Sequence, residues 1–187
     1  MLTHTDLKKG VKIILDKEPY EVLEARPLKK AQRRPVIQSK VKNLITGSVF
    51  DRNFHQGDTF QEAEILRLKA KLIYSHRQRY FFYQGDKPSK RFDLTAEQIG
   101  SQVKFLKANQ TIEALIFNEK VINISLPIKV QLKVIEAPPG IRGDRAQGGT
   151  KIVTLETKAK ISVPLFIKEG DLIEINSQTE EYVKRIG

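Results

Sequence analysis

The chain has 187 residues, a formal net charge of +11, a pI near 9.8 and no cysteine. Disulfides, thiol nucleophiles and Cys-ligated zinc are therefore excluded, and the length suits one large domain or two to three small ones. The opening Met-Leu-Thr-His-Thr-Asp shows no charged-then-apolar leader, and no apolar run approaches the roughly 20 residues of a membrane span, so a cytoplasmic protein is expected.

Period-2 alternation dominates. Val11, Ile13 and Leu15 alternate with Lys12, Ile14 and Asp16, and residues 20–24 follow as a second strand. Between Arg26 and Lys42 stand seven cations (Arg26, Lys29, Lys30, Arg33, Arg34, Lys40, Lys42) and no acid. Flanked by strand-like stretches, this run is expected to be the tip of a hairpin. Its self-repulsion calls for a polyanion, and nucleic acid is the commonest one; a merely solvated basic loop is the alternative. In 66–74, Leu66, Leu68, Ala70, Leu72 and Tyr74 are expected on a buried face, with Arg67, Lys69 and Lys71 on a cationic outer face. Arg77-Gln-Arg79 runs into Tyr80-Phe-Phe-Tyr83. Base stacking is one reading of that segment. A core strand after a basic turn is preferred, because alternate aromatics must face inward.

Thr95-Ala-Glu-Gln98 is a capping box that opens a short helix over 95–106, with Ile99, Val103 and Leu106 as its buried stripe and Gly100 weakening it. Further strands are expected at 112–117, 121–125, 130–135, 153–155, 161–163 and 172–175, separated by turn signals such as Gly85-Asp86, Asn118-Glu119 and Glu169-Gly170-Asp171. The pattern argues for an all-β chain of small barrels. Breaks at 61–63 and 126–127 suggest three domains, 1–62, 63–127 and 128–187, holding 12 cations against 8 acids, 11 against 6, and 10 against 8. Every part is basic, which suits an extended RNA-contacting surface. No amphipathic helix with a large apolar face argues for a membrane partner. Pro138–Gly149 is a long segment with four glycines and two arginines, Arg142 and Arg145. Such loops bring backbone N–H groups close to a ligand.

No constellation for catalysis or metal binding emerges. His4, His55 and His76 lack ligand spacing and a thiol partner, no phosphate-binding Gly-x-x-x-x-Gly-Lys loop is present, and no carboxylate pair is placed for acid/base work. The sequence reads as a binder with no cofactor and no metal.

Gly10-Val-Lys-Ile-Ile-Leu-Asp16, Glu18-Pro-Tyr-Glu-Val22, Val41-Lys-Asn-Leu-Ile-Thr-Gly47, Pro139-Gly-Ile-Arg-Gly-Asp144, Thr154-Leu-Glu-Thr157, Val163-Pro-Leu-Phe166 and Glu181-Tyr-Val-Lys-Arg185 form a specific set. Through them the chain resembles, end to end, the bacterial elongation factor P family. The resemblance implies an SH3-like (KOW-like) barrel followed by two OB-folds in an L shape. It implies a monomeric factor that binds the 70S ribosome beside P-site peptidyl-tRNA, promotes peptide bonds at consecutive prolines by positioning the tRNA end, and has mRNA at the E site as a further partner. It also implies site residues: a tip loop of Lys29, Lys30, Ala31, Gln32, Arg33 and Arg34 at the peptidyl-transferase centre; Arg142, Gly143, Asp144, Arg145, Gly148 and Gly149 near the E-site codon; and Tyr182 and Arg185 toward the small subunit.

The tip departs from the family's usual Lys-Pro-Gly-Lys-Gly. Lys29 keeps the first lysine, Lys30 replaces the proline, Ala31 and Arg33 replace the glycines, and Gln32 stands where the modifiable lysine would be. Lysine-modifying chemistry cannot carry over to position 32, and Arg33 is one residue off the register of relatives with a glycosylated arginine. A multiply cationic tip that works unmodified is the expectation. A general single-stranded RNA-binding or RNA-chaperone protein built on OB-folds is the competing reading, and an RNA-modifying enzyme a remote third.

Overall fold

A computed structural model describes residues 1–28, 36–85, 87–139 and 149–186. It forms three antiparallel sheets. The first holds β1 (Leu2–Thr3), β2 (Lys12–Leu15), β3 (Glu18–Leu28), β4 (Val36–Asn43), β5 (Val49–His55) and β6 (Thr59–Glu62) in the order β1-β6-β2-β3-β4-β5. The second holds β7 (Leu66–His76), β8 (Arg79–Gln84), β9 (Lys87–Thr95), β10 (Thr111–Phe117) and β11 (Lys120–Ser125) in the order β11-β10-β7-β8-β9. The third holds β12 (Lys129–Glu136), β13 (Thr150–Leu155), β14 (Lys160–Pro164), β15 (Leu172–Asn176) and β16 (Glu181–Arg185) in the order β14-β13-β12-β15-β16.

The second and third sheets share one topology. In each the first strand is central, the second and third strands lie to one side, and the fourth and fifth lie to the other. In the third sheet β14 also comes beside β16, which brings its two edges together as a barrel requires. The chain is all-β, as the alternation predicts. Three of the hairpin turns are two-residue links with positive φ at both positions: Asp16-Lys17, Arg77-Gln78 and Asn118-Glu119. That backbone matches the twist of the strands it joins.

The helix is shorter than the sequence pattern suggests. Thr95 Oγ1 accepts the Gln98 N–H at 3.3 Å and Gln98 Oε1 accepts the Thr95 N–H at 3.0 Å, so the capping box forms. The α-helix α1 nevertheless spans only Ala96–Ile99 and continues as a 3-10 segment over Gly100–Phe105. Gly100 adopts φ +70°, which breaks the α-helical repeat. Phe105 is buried beside Ile99 and Leu106, while Val103 is half-buried. The change of helical period carries the buried face onto Phe105.

The β7 pattern needs a larger correction. Ala70 and Leu72 are buried, whereas Leu66 is 65% exposed, Leu68 47% and Tyr74 51%. β8 pairs with β7 only from Ala70 onward, so Leu66 and Leu68 have β10 on one side and no strand on the other. A bulge between Leu72 and Tyr74 inserts Ile73 and turns Tyr74 to the outer face.

The three sheets pack in series. Ile13, Tyr20, Val22, Val41, Phe54 and Phe60 fill the first. A small cluster of Leu44, Ala63, Leu115, Phe117 and Ile122 joins it to the second. The cores of the second and third run together as one apolar cluster. Lys104 meets Glu180 at 2.8 Å, Lys107 meets Glu156 at 3.2 Å, and Thr157 Oγ1 donates to the Lys104 carbonyl at 2.6 Å across that contact. Among the described residues no helix is long and apolar enough to cross a membrane.

Candidate nucleic-acid interface

The cationic run is carried by a three-stranded ribbon. β3 and β4 pair antiparallel up to Leu28 opposite Val36, so the hairpin arms close as expected around residues 29–35. The tip residues Lys29, Lys30, Ala31, Gln32, Arg33 and Arg34 lie outside the described residues. β5 flanks β4 along the same length, ending with His55 opposite Val36.

Charge on the ribbon is graded. Reading its outer face from base to tip, the cross-strand rows are Glu21/Lys42/Val49, Glu24/Lys40/Asp51, Arg26/Gln38/Asn53 and Leu28/Val36/His55. The carboxylates stand in the first two rows, each next to a lysine; Glu24 also meets Arg26 at 3.1 Å. The last two rows carry none. Asp58, in the turn after β5, accepts the His55 N–H at 2.7 Å. An anion approaching the tip end therefore meets little repulsion from the ribbon.

At the ribbon's base, the Asn43 side chain organises the turn into β5. Asn43 Oδ1 accepts the N–H groups of Ile45 and Thr46 at 2.8 and 3.0 Å, and Nδ2 donates to Glu18 Oε2 at 2.6 Å. Gly47 has φ +76°, and a Cβ there would stand 3.6 Å from the Gln98 carbonyl. The turn thus lies against α1 of the second sheet.

In the third sheet, Arg142, Gly143, Asp144, Arg145 and Gly148 also lie outside the described residues, but their segment's ends are held. Lys151 Nζ donates to the Pro138 carbonyl at 2.9 Å, tying the exit of β12 to β13. A Cβ on Gly149 would stand 3.2 Å from Leu165 Cδ1. Sequence reasoning did not single out Lys151, since its role depends on the β12–β13 pairing. Tyr182 and Arg185 both lie on β16, with β12 and β15 between it and β13 in the sheet. Tyr182 is half-buried against the core. Arg185 is half-exposed and stands 3.8 Å from Asp171.

The aromatic run on β8 divides between two faces. Phe82 is fully buried and stacks on Phe92 at 5.2 Å, and Tyr80 packs on the same core, as the core-strand reading requires. Phe81 and Tyr83 point outward, and Phe81 stacks on Tyr74 with ring centroids 4.7 Å apart. Among the described residues, no three His, Asp or Glu side chains come together as metal ligands.

Comparison with known proteins yields consistent matches. Residues 3–60 match a family model described as "Elongation factor P (EF-P) KOW-like domain", and residues 130–185 match "Elongation factor P, C-terminal". The chain is 37% identical over 186 residues to "Elongation factor P" of Carboxydothermus hydrogenoformans, covering 100% of both chains. It is 38% identical over 185 residues to that of Synechococcus sp. (strain JA-2-3B'a(2-13)), covering 99% of this chain and 100% of the relative. It is likewise 38% identical over 186 residues to that of Syntrophus aciditrophicus, covering 100% of this chain and 99% of the relative.

Proposed function

We propose that this chain, which belongs to the elongation factor P family, is a monomeric translation elongation factor that binds the 70S ribosome beside P-site peptidyl-tRNA and promotes peptide bonds at consecutive prolines. The observation that carries the reading is the ribbon: β3, β4 and β5 hold residues 29–35, with four cations and no acid, at the end where the rows lack carboxylates.

The chemistry needs no catalytic side chain. Proline's ring restricts the geometries that donor and acceptor can adopt. A factor that holds the tRNA 3′ end lowers the entropic cost of reaching a reactive arrangement. Lys29, Lys30, Arg33 and Arg34 supply that hold, the arginines by bidentate phosphate contacts and stacking on bases. Gln32 has no amine to extend, so the tip acts unmodified. Arg142, Gly143, Asp144, Arg145, Gly148 and Gly149 face the E-site codon in this reading, and Tyr182 and Arg185 face the small subunit. The three sheets serve as three domains, 1–62, 63–127 and 128–187, in a soluble cytoplasmic protein with no cofactor.

The test combines binding with turnover. The protein is expected to co-sediment with 70S ribosomes carrying P-site tRNA in preference to free RNA; equal binding to free RNA would favour a general single-stranded RNA binder. Arg33→Ala with Arg34→Ala is expected to slow Pro-Pro-Pro synthesis, and full activity would remove these arginines from the mechanism. Arg185→Ala should weaken ribosome affinity and its salt dependence with little change in stability, because a half-exposed ion pair contributes little to folding.

A further inference from the structure

We infer that the outer face of the second sheet is a binding surface for unpaired RNA, distinct from the tip, the 138–149 segment and β16. The β7 bulge that puts Tyr74 outside the barrel places its ring beside Phe81, at 4.7 Å and 19° between planes. Tyr74 is 51% exposed, so this stack presents an open aromatic surface. Two residues further along β8, Tyr83 sits on the same face between Lys71 on β7 and Arg91 on β9, in the cross-strand row Thr111–Lys71–Tyr83–Arg91.

Charge and spacing select the occupant. Among the described residues the carboxylates of this face are engaged: Glu113 meets Arg67 at 2.9 Å and Asp93 meets Arg79 at 3.5 Å, which leaves Lys71 and Arg91 flanking Tyr83. Two cations beside one exposed ring (Tyr74) and two half-exposed ones (Phe81, Tyr83) are the equipment of a single-strand binder, where the rings take bases and the cations take phosphates. Phe81 and Tyr83 are separated along the strand by about 7 Å, roughly twice the 3.4 Å step between bases in one strand of a duplex. Bases seated on both are therefore unstacked from each other, and the surface selects single strands over duplexes. An acidic peptide would satisfy the cations but leave the aromatic rings unused.

The surface does not depend on the tip, so it can be tested on the full chain without ribosomes. Anisotropy of a labelled eight-nucleotide oligouridylate at low salt should show binding, with a duplex of the same length bound more weakly. Tyr74→Ala should weaken oligouridylate binding about tenfold, while Tyr74→Phe, which keeps the ring, should bind like the parent. Lys71→Gln should reduce the salt dependence by about one released counterion. Ribosome co-sedimentation and Pro-Pro-Pro synthesis by the Tyr74→Ala protein read the ribosomal role separately, so failure here is distinguishable from failure of that role. Crosslinking of 4-thiouridine-substituted RNA to the unsubstituted protein should map to peptides within 66–76 or 79–84, a readout that does not depend on any variant folding. Undiminished binding by Tyr74→Ala, equal affinity for duplex, competition by polyglutamate as strong as by RNA, or crosslinks confined to other segments would each overturn the inference.

Discussion

Leu44 sits where the first sheet meets the second, and its truncation tests whether that contact is a packed junction. Leu44 is 4% exposed and packs with Ala63, Leu115, Phe117 and Ile122. Leu44→Ala removes three carbons, a transfer loss of about 2.4 kcal/mol at about 0.8 kcal/mol per carbon, to which any cavity left behind adds. Ile14, Ile45 and Ile65 border the cluster and are only half-buried, so they can close on part of the gap. The expected loss is therefore about 2–3 kcal/mol, the lower part of the usual range for such a substitution. Urea unfolding followed by circular dichroism measures it. Amide exchange supplies the location: the Ile45 and Thr46 N–H groups, bonded to Asn43 Oδ1, should exchange faster in the variant, while Val41 in the first core should not. A loss under about 0.5 kcal/mol, the level of an unremarkable surface change, together with unchanged exchange would refute the packed junction.

Thr95→Ala should cost about 1 kcal/mol by removing the capping hydroxyl, and Thr95→Ser should restore most of it; thermal unfolding checks both. Asp6 is held below its ordinary value of 3.8, first by the Thr3 hydroxyl at 2.6 Å and then by the Thr3 backbone N–H at 2.8 Å. Its folded pKa is depressed, so its contribution to stability is present above the ordinary value and is lost as pH falls through the lowered one. An NMR titration of the Asp6 carboxyl should show a midpoint below 3.8, and a midpoint at or above 3.8 would contradict the Thr3 contacts.

The inner strands announced themselves by alternation, because each has neighbours on both sides and a buried face that must be apolar. β2, β7, β10, β12 and β15 were legible in this way. Alternation found the edges β11 and β14 but missed the inner strand β6 and the edges β1, β5, β9 and β16. An edge strand has one neighbour and tolerates charge, so β9 reads Lys-Pro-Ser-Lys-Arg-Phe-Asp-Leu-Thr, with Phe92 and Leu94 as its inward signal. The Tyr74 error has a different origin. Period-2 reasoning assumes one residue per step, and the bulge at Ile73 breaks that count. At the candidate interface, the basic run and the glycine-rich segment were visible as composition. The graded charge of the ribbon and the tether from Lys151 to Pro138 were not, since both depend on which residues face each other across strands.

β4 connects two places that have different tasks. One end enters the turn at Leu44 that packs against the second sheet, and the other supports residues 29–35. Its length makes it a lever of about 23 Å at 3.3 Å per residue. A rotation of roughly 10° at the junction would swing the far end by about 4 Å, whereas a misplacement of about 1 Å can cost a positioned reaction a factor of 100. In the proposed role, side chains at the junction that lie far from residues 29–35, Leu44 foremost among them, would thereby set where the end of β4 is held. Under the proposed function, substitutions at the junction should accordingly slow proline–proline bond formation even where ribosome affinity is preserved.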